Sequence, residues 1–392
     1  MAVVEQVKEF ESLVELLEDL DREGITGLDR ARNVENFLMR KSRLHGKPYC
    51  ASFELTPLCN FDCKMCYMHL TKEQMQHEGR LLTTEEWLDI AQQTVGMGVR
   101  HIDLTGGECL SYSGFEKIYT YLINQGMHVS VLTNGQLITD RHIELFKQLK
   151  PSVVQISLYG SNPEAYVKVT GRDGFQDVMN AVNRLRTAGI HVCMSVTPHR
   201  YMQEDVAAML DLLHDLRVDY TIGSSILPAR PETGRDIADY VVDTDAYIEI
   251  CKLESRYREA LAAQYSLTQP KSYKFALKGQ DSLDGPPCTA GTANFHINWK
   301  GEMMPCAAFH SVRYSVLTEG LERAWYAVRD TMKSYQIPQE CRECNLQKVC
   351  VGCAAEKGGG QLNGPVNPYV CSRMRAAMTA STALTTELSQ CT

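Results

Sequence analysis

Three cysteines stand within eight residues, Cys59-x-x-x-Cys63-x-x-Cys66, and seven of the remaining twelve fall between Cys288 and Cys371. The N-terminus has no basic flank ahead of an apolar core, so no secretory signal is expected, and no stretch reaches the ~20 apolar residues of a membrane span. A net charge of −8 without a long Lys/Arg block excludes the usual nucleic-acid binder. The expectation is an acidic cytoplasmic protein. There thiols stay reduced, and clustered thiols signal metal or catalysis rather than cross-links.

Structural zinc is held by four ligands. Three thiolates suit a four-iron cluster better, because one iron is then left open for another ligand. Only His69 lies close enough in the sequence to complete a zinc site. The second set runs Cys288, Cys306, then Cys341-x2-Cys344-x5-Cys350-x2-Cys353 and Cys371. Two C-x-x-C pairs alone would also fit a zinc ribbon.

Both sets need elements to hold them. Six short strand-like runs are expected at 51–56, 99–105, 128–133, 153–157, 190–197 and 218–223, with amphipathic helices between them. Thr83-x-x-Glu86 is a capping box opening one helix, and Gly98 closes it. Strand–helix–strand repeats imply parallel crossovers, and six units are too few for a closed eight-stranded barrel. The fold class is therefore α/β, a partial barrel. The first 24 residues read as one amphipathic helix with Val3, Val7, Phe10, Val14, Leu17 and Leu20 on its apolar face. The division expected is a helical extension (1–49), the barrel (50–235), a helical linker (236–280), a cysteine-rich domain (281–375) that builds little core of its own and leans on metal, and a tail (376–392).

A cysteine triad of this spacing after the first of six βα units resembles the radical S-adenosylmethionine superfamily. The resemblance implies that Cys59, Cys63 and Cys66 hold a [4Fe-4S] cluster whose open iron chelates S-adenosylmethionine, generating a 5′-deoxyadenosyl radical that removes a substrate hydrogen atom. The family usually has an aromatic residue just before the third cysteine; here Met65 stands there and Tyr67 follows, either able to pack on adenine. Gly106-Gly107-Glu108 resembles the family's GGE motif, its carboxylate expected to accept from the methionyl ammonium. Ser157, Asn134 and Arg172 are further cofactor-contact candidates. The C-terminal seven resemble a SPASM domain with two auxiliary [4Fe-4S] clusters. Cys341, Cys344, Cys350 and Cys371 would hold one. Cys288, Cys306 and Cys353 would hold the other, its fourth position left to substrate, water, Asp281 or Asp284. Cys109 and Cys391 are candidate catalytic thiols. The last short gap in the cysteine pattern holds two residues, Val351 and Gly352, where the family usually has three.

What the resemblance implies is modification of a ribosomally made peptide, by thioether or carbon–carbon crosslinking. The expected partners are the peptide, a flavodoxin- or ferredoxin-type electron donor and a separate leader-binding protein, with no nucleic acid and no membrane. Oxidation of a small molecule is one alternative. A sulfatase-maturase-like Ser/Cys oxidation is another, although Ala307-Ala308 follow Cys306 where that group commonly carries an aspartate. A non-catalytic metal scaffold would leave the first triad unexplained.

Overall fold

The computed structural model describes residues 8–223, 226–264, 275–277, 286–347, 350 and 352–376. Among the described residues there are eleven strands: β1 (Lys8–Phe10), β2 (Cys50–Glu54), β3 (His101–Thr105), β4 (His128–Thr133), β5 (Val153–Leu158), β6 (Val192–Val196), β7 (Asp219–Ile222), β8 (Phe275–Leu277), β9 (Asn294–Ile297), β10 (Glu302–Met304) and β11 (Tyr314–Ser315). The strands β2 to β7 are the six expected from the sequence and pair in parallel in chain order. Within them residues alternate between half-buried and fully buried, as in Val153–Leu158, where Val154, Ile156 and Leu158 point into the apolar layer under the covering helices. Gln155 and Ser157 face the other way, into the barrel. The helix Thr84–Gly96 opens with both hydrogen bonds of the Thr83/Glu86 capping box, and Gly98 takes the positive φ of 84° that closes it.

The C-terminal region departs from the expectation. Its strands extend the barrel sheet: the order is β11-β10-β9-β2-β3-β4-β5-β6-β7, with β9 parallel to β2 and β10 and β11 antiparallel beyond it. Phe295, Ile297, Met303, Leu321, Trp325 and Val328 belong to the same buried cluster as Phe53, Leu104 and Ile156. The open edge of β2 supplies the core that a cysteine-punctuated segment lacks, so this part is not held by metal alone. Trp325 is fully buried and donates its indole N–H to the Gly46 carbonyl at 2.9 Å.

The N-terminal stripe is also shifted. Ser12 caps a helix at Leu13–Arg22, which resets the helical phase: Leu16 and Leu20 are buried, whereas Val14 is 62 % exposed. Phe10 lies in β1, which pairs in parallel with β8; Val3 and Val7 fall outside the described residues. A second helix, Gly27–Leu44, completes this layer. The linker is helical at Thr244–Gln264, but its distal part supplies β8. Among the described residues no helix is long and apolar enough to cross a membrane.

One buried ion network joins the parts. Glu54, at the end of β2, accepts from Arg230 Nη1 at 2.8 Å and Nη2 at 2.5 Å, and its second oxygen lies 2.8 Å from His296 Nε2 on β9. All three side chains are at most 4 % exposed. Removing one partner of such a pair strands a buried charge. Arg230→Met is expected to destabilise the fold by about 3–5 kcal/mol, whereas Arg230→Met with Glu54→Leu recovers most of that loss, as read by urea unfolding. Despite its burial, Glu54 is held at about 2 by Arg230 and His296, so its contribution is present at neutral pH. It should be lost as the pH falls from the ordinary carboxylate range toward 2, making acid unfolding of wild type steeper than that of the double variant.

Candidate active site

The loop after β2 carries the cysteine triad, and the loops after β3, β4 and β5 face it across a cavity of about 240 Å³. Cys63, Met65, Cys66 and Tyr67 line that cavity with Gly106, Gly107, Asn134 and Ser157. The loop is preorganised around its sulfurs: the Phe61 N–H reaches Cys59 Sγ at 3.3 Å, the His69 N–H reaches Cys66 Sγ at 3.3 Å, and Asn134 Nδ2 lies 3.6 Å from Cys59 Sγ. Burial pushes the Cys59 thiol up to about 12 and raises Cys63 and Cys66 as well. Buried sulfurs with donors already aimed at them are suited to thiolates compensated by a cation, which is the environment of an iron–sulfur cluster. The described cysteines are all free. Nor do three His, Cys, Asp or Glu side chains group around one ion site among the described residues. His69, the sequence candidate for a fourth ligand, lies 3.8 Å from Asp62.

The two glycines are required by close approach. The Gly107 N–H donates to the Thr56 carbonyl at 2.7 Å, and a Cβ on Gly107 would stand 2.3 Å from the Leu58 carbonyl oxygen. The irregular segment 56–58, just after β2, leads directly into Cys59.

Three sequence candidates take other places. Glu108 is fully buried and does not line the cavity. Its carboxylate accepts from the Leu110 N–H at 3.0 Å, the Thr133 hydroxyl at 2.8 Å and the Asn134 N–H at 2.7 Å, so it stitches the β3 and β4 loops together. Burial nonetheless raises its pKa above the usual range. Cys109 is fully buried, its thiol 3.2 Å from the Leu132 carbonyl, and Arg172 is exposed on the surface. Cys391, Asp281 and Asp284 lie outside the described residues.

Other lining residues were not anticipated. Thr105, Gln155 and Thr197 extend inward at the carboxyl ends of β3, β5 and β6, and Tyr159, Ile226 and Leu227 close the wall. Period-two spacing from Ser157 marks Gln155 as inward-facing; Ile226 and Leu227 follow β7 in an irregular loop that carries no such signal. Arg235 donates to the Cys63 carbonyl at 2.5 Å and pairs with Asp62, tying the triad loop to the segment beyond β7.

In the C-terminal region Cys341, Cys344, Cys350 and Cys371 border one cavity of about 390 Å³, with Tyr335, Lys357 and Arg375 on its wall. Arg375 Nη2 lies 3.5 Å from Cys344 Sγ. Cys288, Cys306 and Cys353 form a separate group: burial raises the Cys306 thiol, and Cys353 and Cys288 are near enough to add to the rise. The exposed Cys288 is nearest to solvent. Gly107→Ala is expected to push the 56–58 run aside and lower iron at the triad site, leaving iron at the C-terminal cysteines unchanged; iron analysis with electron paramagnetic resonance reads the two separately.

Comparison with known proteins gives four points of reference. The chain is 26 % identical to the sporulation killing factor maturation protein SkfB of Bacillus subtilis over 261 residues, covering 66 % of this chain and 60 % of that protein. It is 23 % identical to the AdoMet-dependent heme synthase of Methanosarcina barkeri, covering 79 % and 91 %, and 21 % identical to the PqqA peptide cyclase of Rhizobium meliloti, covering 85 % and 89 %. The fold is similar to that of Streptococcus suis SuiB bound to its precursor peptide SuiA, with a TM-score of 0.63, 16 % identity and coverage of 95 % of this chain and 84 % of that one. Residues 53–213, from β2 into the helix before β7, match the Radical SAM superfamily model.

Proposed function

We propose that this protein is a peptide maturase: an enzyme that binds S-adenosylmethionine in the 240 Å³ cavity and uses it to modify a ribosomally made peptide. The observation carrying this reading is the convergence of the cysteine triad, Gly106-Gly107, Asn134 and Ser157 on one cavity at the carboxyl ends of parallel strands, where ligands bind in such sheets. A four-iron cluster on Cys59, Cys63 and Cys66 would supply the electron that splits S-adenosylmethionine into methionine and a 5′-deoxyadenosyl radical. The protein's own groups do the placing. The glycine backbone permits close approach, Met65 and Tyr67 offer apolar surface, and Asn134 and Ser157 offer hydrogen bonds. Tyr159 and Leu227 narrow the access of water.

Cys341, Cys344, Cys350 and Cys371 around their own cavity, and Cys288, Cys306 and Cys353 as a second group, support two auxiliary [4Fe-4S] clusters. A low-potential donor of the flavodoxin or ferredoxin type would reduce them, and a separate leader-binding protein would present the peptide. These properties fit a reducing, cytoplasmic setting. The PqqA peptide cyclase, aligned over most of both chains, supports a peptide substrate; the heme synthase supports oxidation of a small molecule as the second reading. With anaerobically reconstituted protein, dithionite and S-adenosylmethionine, 5′-deoxyadenosine should form. Cys59→Ala, Cys63→Ala or Cys66→Ala should each abolish it while the spectra of the auxiliary clusters persist. Cleavage retained in any of the three sinks the assignment. A mass change in a candidate precursor peptide, read by mass spectrometry, separates the two substrate readings.

A further inference from the structure

A second cavity of about 300 Å³ adjoins the first, Ile226 lining both. No cysteine borders it. Its wall includes Arg373, Glu356, Arg235, Asn367 and Tyr369. Arg373 is 1 % exposed. Its guanidinium lies 5.3 Å from the Tyr247 ring centre and 5.4 Å from that of Tyr369, and Nη2 donates to Glu356 at 3.1 Å. Nε is buried and has no hydrogen-bond partner. A buried guanidinium with an unused donor is costly, because the group has left water without replacing its hydrogen bonds. The two rings offset part of that cost on the ring-facing sides. The Tyr369 hydroxyl also interacts with the guanidinium, but Nε is left without an acceptor, and a fork of N–H groups in that plane matches a carboxylate. Arg235 adds a second guanidinium, itself paired with Asp62. The opposing acids are Glu356, already bonded to Arg373, and Asp236, exposed at the rim and capping the Ala238 N–H at 2.9 Å.

We propose that this second cavity is a carboxylate-binding subsite, with Arg373 as its receptor, which seats an acidic group of the substrate one cavity away from the cofactor. The proposal rests on the peptide-maturase reading and narrows it: the peptide carries an Asp or Glu side chain, or its own C-terminal carboxylate, near the residue that loses hydrogen. Its chemistry is recognition only, so no bond is made or broken there.

The test is ligand-observed saturation-transfer NMR on the reconstituted full chain with three probes. N-acetylglutamate amide carries a side-chain carboxylate, N-acetylglycine a chain-terminal one, and N-acetylglutamine amide is the neutral match of the first. One or both acids should bind, the stronger identifying the source, and the glutamine probe should bind at least tenfold more weakly. Arg373→Lys keeps the charge opposite Glu356 but removes the guanidinium fork; it should lose the acid signal at least tenfold with iron content and circular dichroism unchanged. Arg373→Gln with Glu356→Gln removes both charges together and should behave the same. Equal binding of the glutamine and glutamate probes, binding of no acid, or full binding by a folded Arg373→Lys would each overturn the subsite. None of these outcomes touches 5′-deoxyadenosine release or the peptide mass change, so the peptide reading stands or falls separately.

Discussion

The structure depends on the buried contact between Glu54, Arg230 and His296. Two ions taken out of water are costly, and the close geometry of the pair repays that cost although Arg230 Nε is left buried without a partner. Here the geometry recruits three distant parts of the chain: the end of β2, the segment after β7, and β9. Burial keeps His296 toward its neutral form, leaving Arg230 as the partner that balances the carboxylate. The same arginine donates its backbone N–H to the Tyr67 carbonyl at 2.9 Å, and its guanidinium lies 5.6 Å from the Tyr67 ring centre. The Tyr67 side of the 240 Å³ cavity is thereby fastened to the C-terminal strands. A change at β9 reaches the triad loop through one side chain.

The rim of that cavity is set mostly by backbone. Glu108 gathers donors from two loops onto one carboxylate, and Gly107 lets a third loop lie against them. Glu108 does not line the cavity, yet it holds the Asn134 N–H, and Gly107 lies against the segment that leads into Cys59. A motif residue can therefore be essential by holding the frame rather than by touching what is bound.

What was legible in the sequence was local. The strands β2 to β7 were found because apolar runs, Gly stops and a capping box are properties of a few adjacent residues. The triad and the seven later cysteines were visible because thiols are rare and their spacing carries chemistry. Long-range facts were not legible. Asn294–Ile297 joins β2 because the edge of that strand is open, and nothing near residue 294 announces it. Arg230 and Arg373 each sit in polar, irregular surroundings where an arginine normally reads as surface; only the fold reveals them as buried. The N-terminal stripe failed for a local reason, since Ser12 restarts the helix and moves the apolar face by a fraction of a turn. The internal partners of Glu108 were not legible either, because a motif names a residue without saying what its carboxylate bonds to.

The pairing of β9 with β2 also has a consequence for birth on the ribosome. Glu54 closes β2 and Asn294 opens β9, so 294 − 54 = 240 residues separate the two edges. At ~5–20 residues per second, synthesis leaves that edge bare for about 12–48 s. During this interval the unpaired strand, with Phe53 and the apolar layer behind it, is a template for wrong partners. Expression yield should therefore be governed by how well the nascent barrel is shielded until its last strands arrive, and slowing translation over the intervening helices would lengthen the exposure.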